Sequence, residues 1–222
     1  MRRRIGVVSG LVVGAAVVMF LNLPGRERFH APGPMNTGHA TLACESCHQP
    51  AAGSIRQQLQ TVARQWIGVE AAAVDLGFQQ VTNDRCLACH ERPDDRHPVF
   101  RFLEPRFAEA RQQLRPEECS SCHREHAGVR VTLREGTYCA SCHRDTKLEN
   151  DPIDVPHRDL IANERWETCL GCHDFHGNHA QRAPHRLQDA LTVDQVRTYF
   201  GGGASPYGPA IRRATNPGVK TL

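Results

Sequence analysis

The sequence predicts a mainly irregular chain with short α-helices and little or no sheet, folded around an interior that side chains alone do not fill. Three observations carry this reading. Cys-x-x-Cys-His occurs five times and uses all ten cysteines of the 222 residues. Aromatic residues make up only 6%, low for a domain that builds its core from its own side chains. The hydrophobic pattern shows no strand–helix alternation, only brief helical periods interrupted by Gly, Pro, Asp and Asn.

The five copies are Cys44-Cys47-His48, Cys86-Cys89-His90, Cys119-Cys122-His123, Cys139-Cys142-His143 and Cys169-Cys172-His173. Each reads as the attachment site of one c-type haem: two thiols form thioethers and the adjacent imidazole becomes the proximal iron ligand. Zinc knuckles need two C-x-x-C pairs per ion, so five would leave one over. A redox dithiol is expected once, in a βαβ setting, and a disulfide framework would not set a histidine after every pair. Five haems leave roughly 40 residues each, which implies an interior dominated by porphyrin, with the covalent tethers acting as staples.

Thirteen histidines are present. Five belong to the motifs, leaving His30, His39, His97, His126, His157, His176, His179 and His185. Spare histidines in this number suggest a second imidazole on each iron, giving low-spin haems with two histidine ligands. Methionine is scarce, and only Met35 lies outside the initiator and the first apolar segment. C-H-x-x-H occurs at His123–His126 and at His173–His176. A histidine three residues past a proximal ligand cannot reach round the porphyrin to the same iron, so it is expected on a neighbouring one. His39 and His157 precede motifs by five and twelve residues, and His97 follows one by seven. The expected distal ligands are therefore His39, His97, His126, His157 and His176, with His179 and His185 as substitutes and His30 the remotest candidate.

Arg2, Arg3 and Arg4 account for the whole formal charge of +3, and the rest balances. With no basic patch beyond them, nucleic acid is not an expected partner. Arginine outnumbers lysine 25 to 2, and its bidentate geometry suits haem propionates. After the arginines, Ile5 to Leu23 run without a charge. A basic start followed by an apolar run directs export, and this one is long enough to span a bilayer. We expect an uncleaved anchor over residues 1–24 with the arginines in the cytoplasm. The haem-bearing part then sits at the periplasmic face of a bacterial inner membrane, or free in the periplasm if the segment is cleaved.

Residues 25–38, with their prolines and glycines, read as a stiff linker. The pentahaem domain is expected over 39–185. Within it, Ser54 caps a helix running to about Ala73, with the stripe Ile55, Leu59, Val62, Trp66, Val69 and Ala73 expected to pack over haem faces. Pro105 starts a short helix carrying Phe107 and Leu114 that must stop before Pro116. Only 16 residues separate Cys122 from Cys139, so the third and fourth haems are expected to be neighbours. An Asp/Pro/Asn-rich turn from Asn150 to Pro156 leads to a helical segment holding Leu160, Ile161 and Trp166. Over 186–222, Thr192 and Gln195 box the start of a helix with Val193, Val196 and Phe200. Glycines 201–203 end it, and a loose tail follows.

The segments APGPMNTGHATLACESCH, CLACHERPDDRH, CSSCHREHAG and CLGCHDFHGNH resemble the class III multihaem cytochromes c, with their doubled C-x-x-C-H arrangement. The resemblance covers about residues 29–185. It implies closely stacked haems with two histidine ligands, low reduction potentials and a periplasmic electron-carrier role. The anchor is also similar to that of membrane-bound quinol dehydrogenases of the NapC/NirT type. Gln49-Pro50 after His48 departs from the C-x-x-C-H-x-Met of their first haem. The expected function is that of a membrane-tethered pentahaem electron carrier with redox-protein partners and no catalytic residues. The alternatives are a quinol dehydrogenase and, behind it, a multihaem reductase of a small oxyanion, although no C-x-x-C-Lys variant marks a substrate-binding haem.

Overall fold

A Cys-x-x-Cys-His stretch is short enough to close a single helical turn, and it does so repeatedly here. In four of the motifs the histidine N–H donates to the carbonyl of the first cysteine, at 2.8–2.9 Å, for His48, His90, His123 and His173. That i to i−4 bond sets both thiols on one side of the turn and the imidazole at its end. The computed structural model describes residues 2–21, 23, 26, 29, 31–69, 75–90, 95–133, 136–177, 179 and 182–208. His30, Ala73 and the tail from 209 onward lie outside the described residues.

Nine helices are present among the described residues, joined by 3₁₀ turns and irregular segments. They are α1 Arg2–Leu21, α2 Ile55–Trp66, α3 Asn83–Leu87, α4 Ala108–Leu114, α5 Cys119–Cys122, α6 Ala140–His143, α7 His157–Ala162, α8 Cys169–Cys172 and α9 Val193–Phe200. The described residues hold no strand, only an isolated bridge between Pro50 and Phe78. Helix α1 is long and apolar enough to cross a membrane, with mean hydropathy 2.2 over Arg4–Leu21 and none of that window buried.

Polar contacts hold the motif turns in two groups. Asn83 ties α3 to α5: its side chain donates to the Glu117 carbonyl (2.6 Å) and accepts from the Cys119 N–H (3.0 Å). Farther along, the turns at Gly136–Cys139 and Trp166–Thr168 pack together, with Trp166 buried. A Cβ on Gly136 would lie 2.5 Å from the Trp166 carbonyl oxygen and 3.2 Å from the Glu167 Cα. Backbone cannot swing away as a flexible side chain can. Gly136→Ala is therefore expected to cost roughly 1–3 kcal/mol through overpacking, read as a lower Tm of the haem-loaded protein. An unchanged Tm would mean that these two turns do not meet so closely.

Helix α4 starts from a Pro105–Phe107 turn and ends at Arg115, whose left-handed φ of 49° precedes Pro116. Helix α9 has the full capping box of Thr192 and Gln195, worth about 1 kcal/mol, and stops at Gly201. It is no loose appendage. Val196 is buried, and the Arg130 guanidinium donates to the Tyr199 and Gly203 carbonyls while lying 4.1 Å over the Tyr199 ring. Two expectations are corrected. Helix α2 ends at Trp66 rather than near Ala73, because Gly68 takes a left-handed φ of 74° just past its end. Trp166 sits in a 3₁₀ turn of its own, separated from α7 by Glu164, which also has positive φ.

Candidate haem-binding site

Residues of all five motif turns line one continuous cavity of about 3100 Å³, with walls running from Met35 to Tyr207. A small-molecule pocket measures ~300–1,000 Å³, so this volume suits several large cofactors rather than one. Arg85, Arg96, Arg130 and Arg165 are among its lining residues, positions from which guanidinium groups can meet propionates.

Within the cavity the histidines come in twos. Each motif histidine faces one spare histidine: His48 with His126, His90 with His39, His123 with His176, His143 with His97, and His173 with His157. The ring centres are 5.9 Å apart for His39–His90 and 6.1 Å apart for the other four pairs. That spacing is too wide for ring stacking, and it suits a metal held between two nitrogens. A metal–imidazole bond of about 2.0–2.1 Å, plus about 1.1 Å from nitrogen to ring centre, puts two trans imidazoles roughly 6 Å apart. Among the described residues no three His, Cys, Asp or Glu side chains converge as a tetrahedral site would require.

The outer nitrogens explain how the rings are aimed. His39 Nδ1 meets Glu125 (3.0 Å), His97 Nδ1 the Phe175 carbonyl (2.5 Å) and His126 Nδ1 the Gly33 carbonyl (3.3 Å). His157 Nδ1 meets Asp151 (2.9 Å), and His176 Nδ1 meets Asp95 (3.0 Å). A donor Nδ1–H facing an acceptor leaves the Nε2 lone pair for a metal. Burial lowers the pKa of His97 and of His173, favouring the neutral, metal-binding imidazole. Asp151 lies below its ordinary range: burial raises it, but the backbone and ring N–H groups of His157 outweigh that.

His179 stands apart. Its Nδ1 meets Asp174 (2.8 Å), its Nε2 meets the Tyr199 hydroxyl (3.2 Å), and its ring stacks on Tyr207 at 4.2 Å. With both nitrogens engaged it joins the packing of α9 to the body. Burial raises the Tyr207 phenol to about 12. His185 is exposed, its Nδ1 on the Pro152 carbonyl. Neither substitute faces a motif histidine. Sequence reasoning missed the acceptors Glu125, Asp95 and Asp151; Asp95 and Glu125 lie one or two residues before a spare histidine, the one signal that could have pointed to them.

The two C-H-x-x-H segments turn their second histidine outward, each by its own backbone. His126 adopts a left-handed φ of 61°, a conformation in which His is enriched among non-glycine residues. Its ring thereby reaches His48, while the segment locks to residues 33–37. Asn36 accepts from the Ala127 N–H and donates to the Arg124 carbonyl, and its own N–H meets Glu125. Thiols of different motifs also touch. Their mutual hydrogen bond, then burial, raises Cys86 against Cys119. Cys139 is raised and Cys169 lowered by the bond they share, with the proton on Cys139. The motif turns in thiol contact are thus the second with the third and the fourth with the fifth.

Residues 70–144, about a third of the chain, match the model of the family described as Cytochrome c3. The matched stretch holds three of the five motifs and supports a multihaem c-type cytochrome acting in electron transfer, with covalently bound haem iron. No curated protein and no solved structure matches the chain.

Proposed function

We propose that the chain is a pentahaem c-type cytochrome that relays electrons between redox partners at the periplasmic face of a bacterial inner membrane, tethered there by α1. The observation that carries this is the fivefold pairing of a motif histidine with a spare one at about 6 Å. The proposed ligand pairs are His48 with His126, His90 with His39, His123 with His176, His143 with His97, and His173 with His157. Haem iron supplies one chemistry here, the exchange of one electron between ferric and ferrous states.

The protein's own residues do the rest. Two neutral imidazoles per iron keep the ligand set unchanged between oxidation states, so little rearranges when an electron moves. Asp95, Asp151 and Glu125 accept hydrogen bonds from distal imidazoles and raise their basicity, which favours the ferric state and lowers the potential. The thiol contacts between motif turns and the histidines shared across segments hold neighbouring sites at short range, which electron exchange requires. Full occupancy of both axial positions disfavours substrate binding at iron, so the reading is a carrier rather than an oxyanion reductase.

The test uses the full, haem-loaded chain. Intact mass and a pyridine haemochrome assay are expected to give five haems per chain, and ferric electron paramagnetic resonance only low-spin signals. A stoichiometry below five in fully matured protein, or a stoichiometric high-spin signal, would count against it.

A further inference from the structure

Helix α2 is turned inside out. Its apolar stripe points to solvent: Ile55, Leu59 and Trp66 are exposed, Trp66 by 86%, and Ile67 and Val69 continue the exposure past its end. Its one buried residue is a glutamine. Gln58 donates to the Ala51 and Gly53 carbonyls and accepts from the Gly77 N–H, tying down the base of the excursion that carries α2. That excursion leaves and rejoins the body through Ala51 N–H to Gly77 O (2.9 Å) and Gln79 N–H to Gln49 O (2.8 Å). No residue from 49 to 79 is among those lining the large cavity. The stripe was expected to cover haem, and it does not.

The charge pattern narrows what covers it. Residues 49–69 contain Arg56 and Arg64 and no acidic side chain. By helical spacing, Arg64 lies opposite the stripe, among Gln57, Gln60 and Thr61. An apolar face with an exposed Trp, backed by a basic and otherwise neutral polar face, is the pattern of a helix lying in an anionic bilayer surface. Chain connectivity agrees. Just past α1, Arg26 lies 4.7 Å over Phe20, which contacts Phe29 at 5.6 Å, giving an aromatic–basic cluster of the kind found at membrane interfaces. Residues 33–48, which follow closely, belong to the body next to the first motif, and the α2 excursion branches off directly after it.

We infer that α2 docks flat on the anionic phospholipid surface of the membrane that α1 crosses, a second contact that fixes how the haem-bearing body faces the bilayer. The inference rests on the membrane-tethered reading above. It is tested with full-length, haem-loaded protein in phosphatidylglycerol/phosphatidylethanolamine vesicles containing a phosphatidylglycerol with a diazirine-bearing acyl chain, the photolabelled peptides being mapped by mass spectrometry. Label is expected on residues 4–21 and on 55–69. In the Leu59→Glu/Trp66→Glu variant, label on 55–69 is expected to fall about fivefold or more, because carboxylates oppose insertion, while label on 4–21 and the haem content stay unchanged. Label on 4–21 with none on 55–69 overturns the inference and leaves the anchor standing. Label on 55–69 with none on 4–21 overturns the anchor and leaves α2 as a surface-binding element. Cross-linking of 55–69 to a second copy of the chain, in place of lipid, overturns the inference in favour of an interface between copies.

Discussion

Produced where haem cannot be attached, the chain is expected to show no cooperative thermal transition, whereas the haem-loaded protein melts in one. The protein's own surface argues for so large an effect. The chain exposes 16895 Å², while a compact protein of 24.7 kDa exposes about 10,000 Å² by the usual scaling with mass. Free-standing α1 contributes part of that excess, and the walls of the large cavity contribute much of the rest. Seven apolar residues count as buried among those described, two of them alanines, and no large side chain is fully enclosed. So few buried contacts cannot offset the conformational entropy of ordering a domain of this length. Far-UV circular dichroism of both forms through a thermal ramp makes the comparison. A sharp transition in the haem-free chain would show that side chains hold the fold without porphyrin.

His176→Ala is expected to turn one haem per molecule high-spin in the ferric state and, once reduced, to let it bind carbon monoxide. The haem itself stays attached, because Cys119 and Cys122 are untouched. His176 is the proposed distal ligand opposite His123, at 6.1 Å between ring centres, and is aimed by the Asp95 carboxylate. Removing it opens one axial position and leaves Asp95 without its imidazole partner. The informative control is His179→Ala, three residues away. His179 uses one nitrogen on Asp174 and the other on Tyr199, so its loss is expected to cost roughly 1–3 kcal/mol in hydrogen bonding without any high-spin signal. If His176→Ala stays wholly low-spin while His179→Ala does not, the two roles have been assigned the wrong way round.

Local chemistry was largely legible in the sequence. The motif turns, the Thr192–Gln195 box and the limits of α4 all follow from bonds within a few residues, and local pattern reports such bonds well. The spare histidines that face motif histidines are the five singled out from spacing alone. Which of them meets which was not legible. The meeting of His126 with His48 depends on a single left-handed residue and on Asn36 clasping the segment 124–127. Helix α2 shows a different limit. The period of Ile55, Leu59, Val62 and Trp66 reports an apolar face, but period is blind to whether that face meets an interior. Gln58 decided it by bonding inward, and a glutamine among glutamines carries no such mark. The chain interval between the third and fourth motifs was likewise a poor guide to contact. The thiols that touch join the second motif to the third and the fourth to the fifth, set by Asn83 and by the close approach at Gly136.

The histidine pairs also impose an order on assembly. A chain secreted from its N-terminus presents Cys44, Cys47 and His48 first, yet the facing imidazole of His48 belongs to His126, 78 residues later. His157 and His173, only 16 residues apart, emerge almost together. Under the proposed ligation, the first haem to be tethered is thus among the last to have its coordination completed, and the last tethered is completed at once. Early haems wait half-coordinated at the exit of the export channel. The interval during which they are open to stray ligands is then set by the speed of translocation.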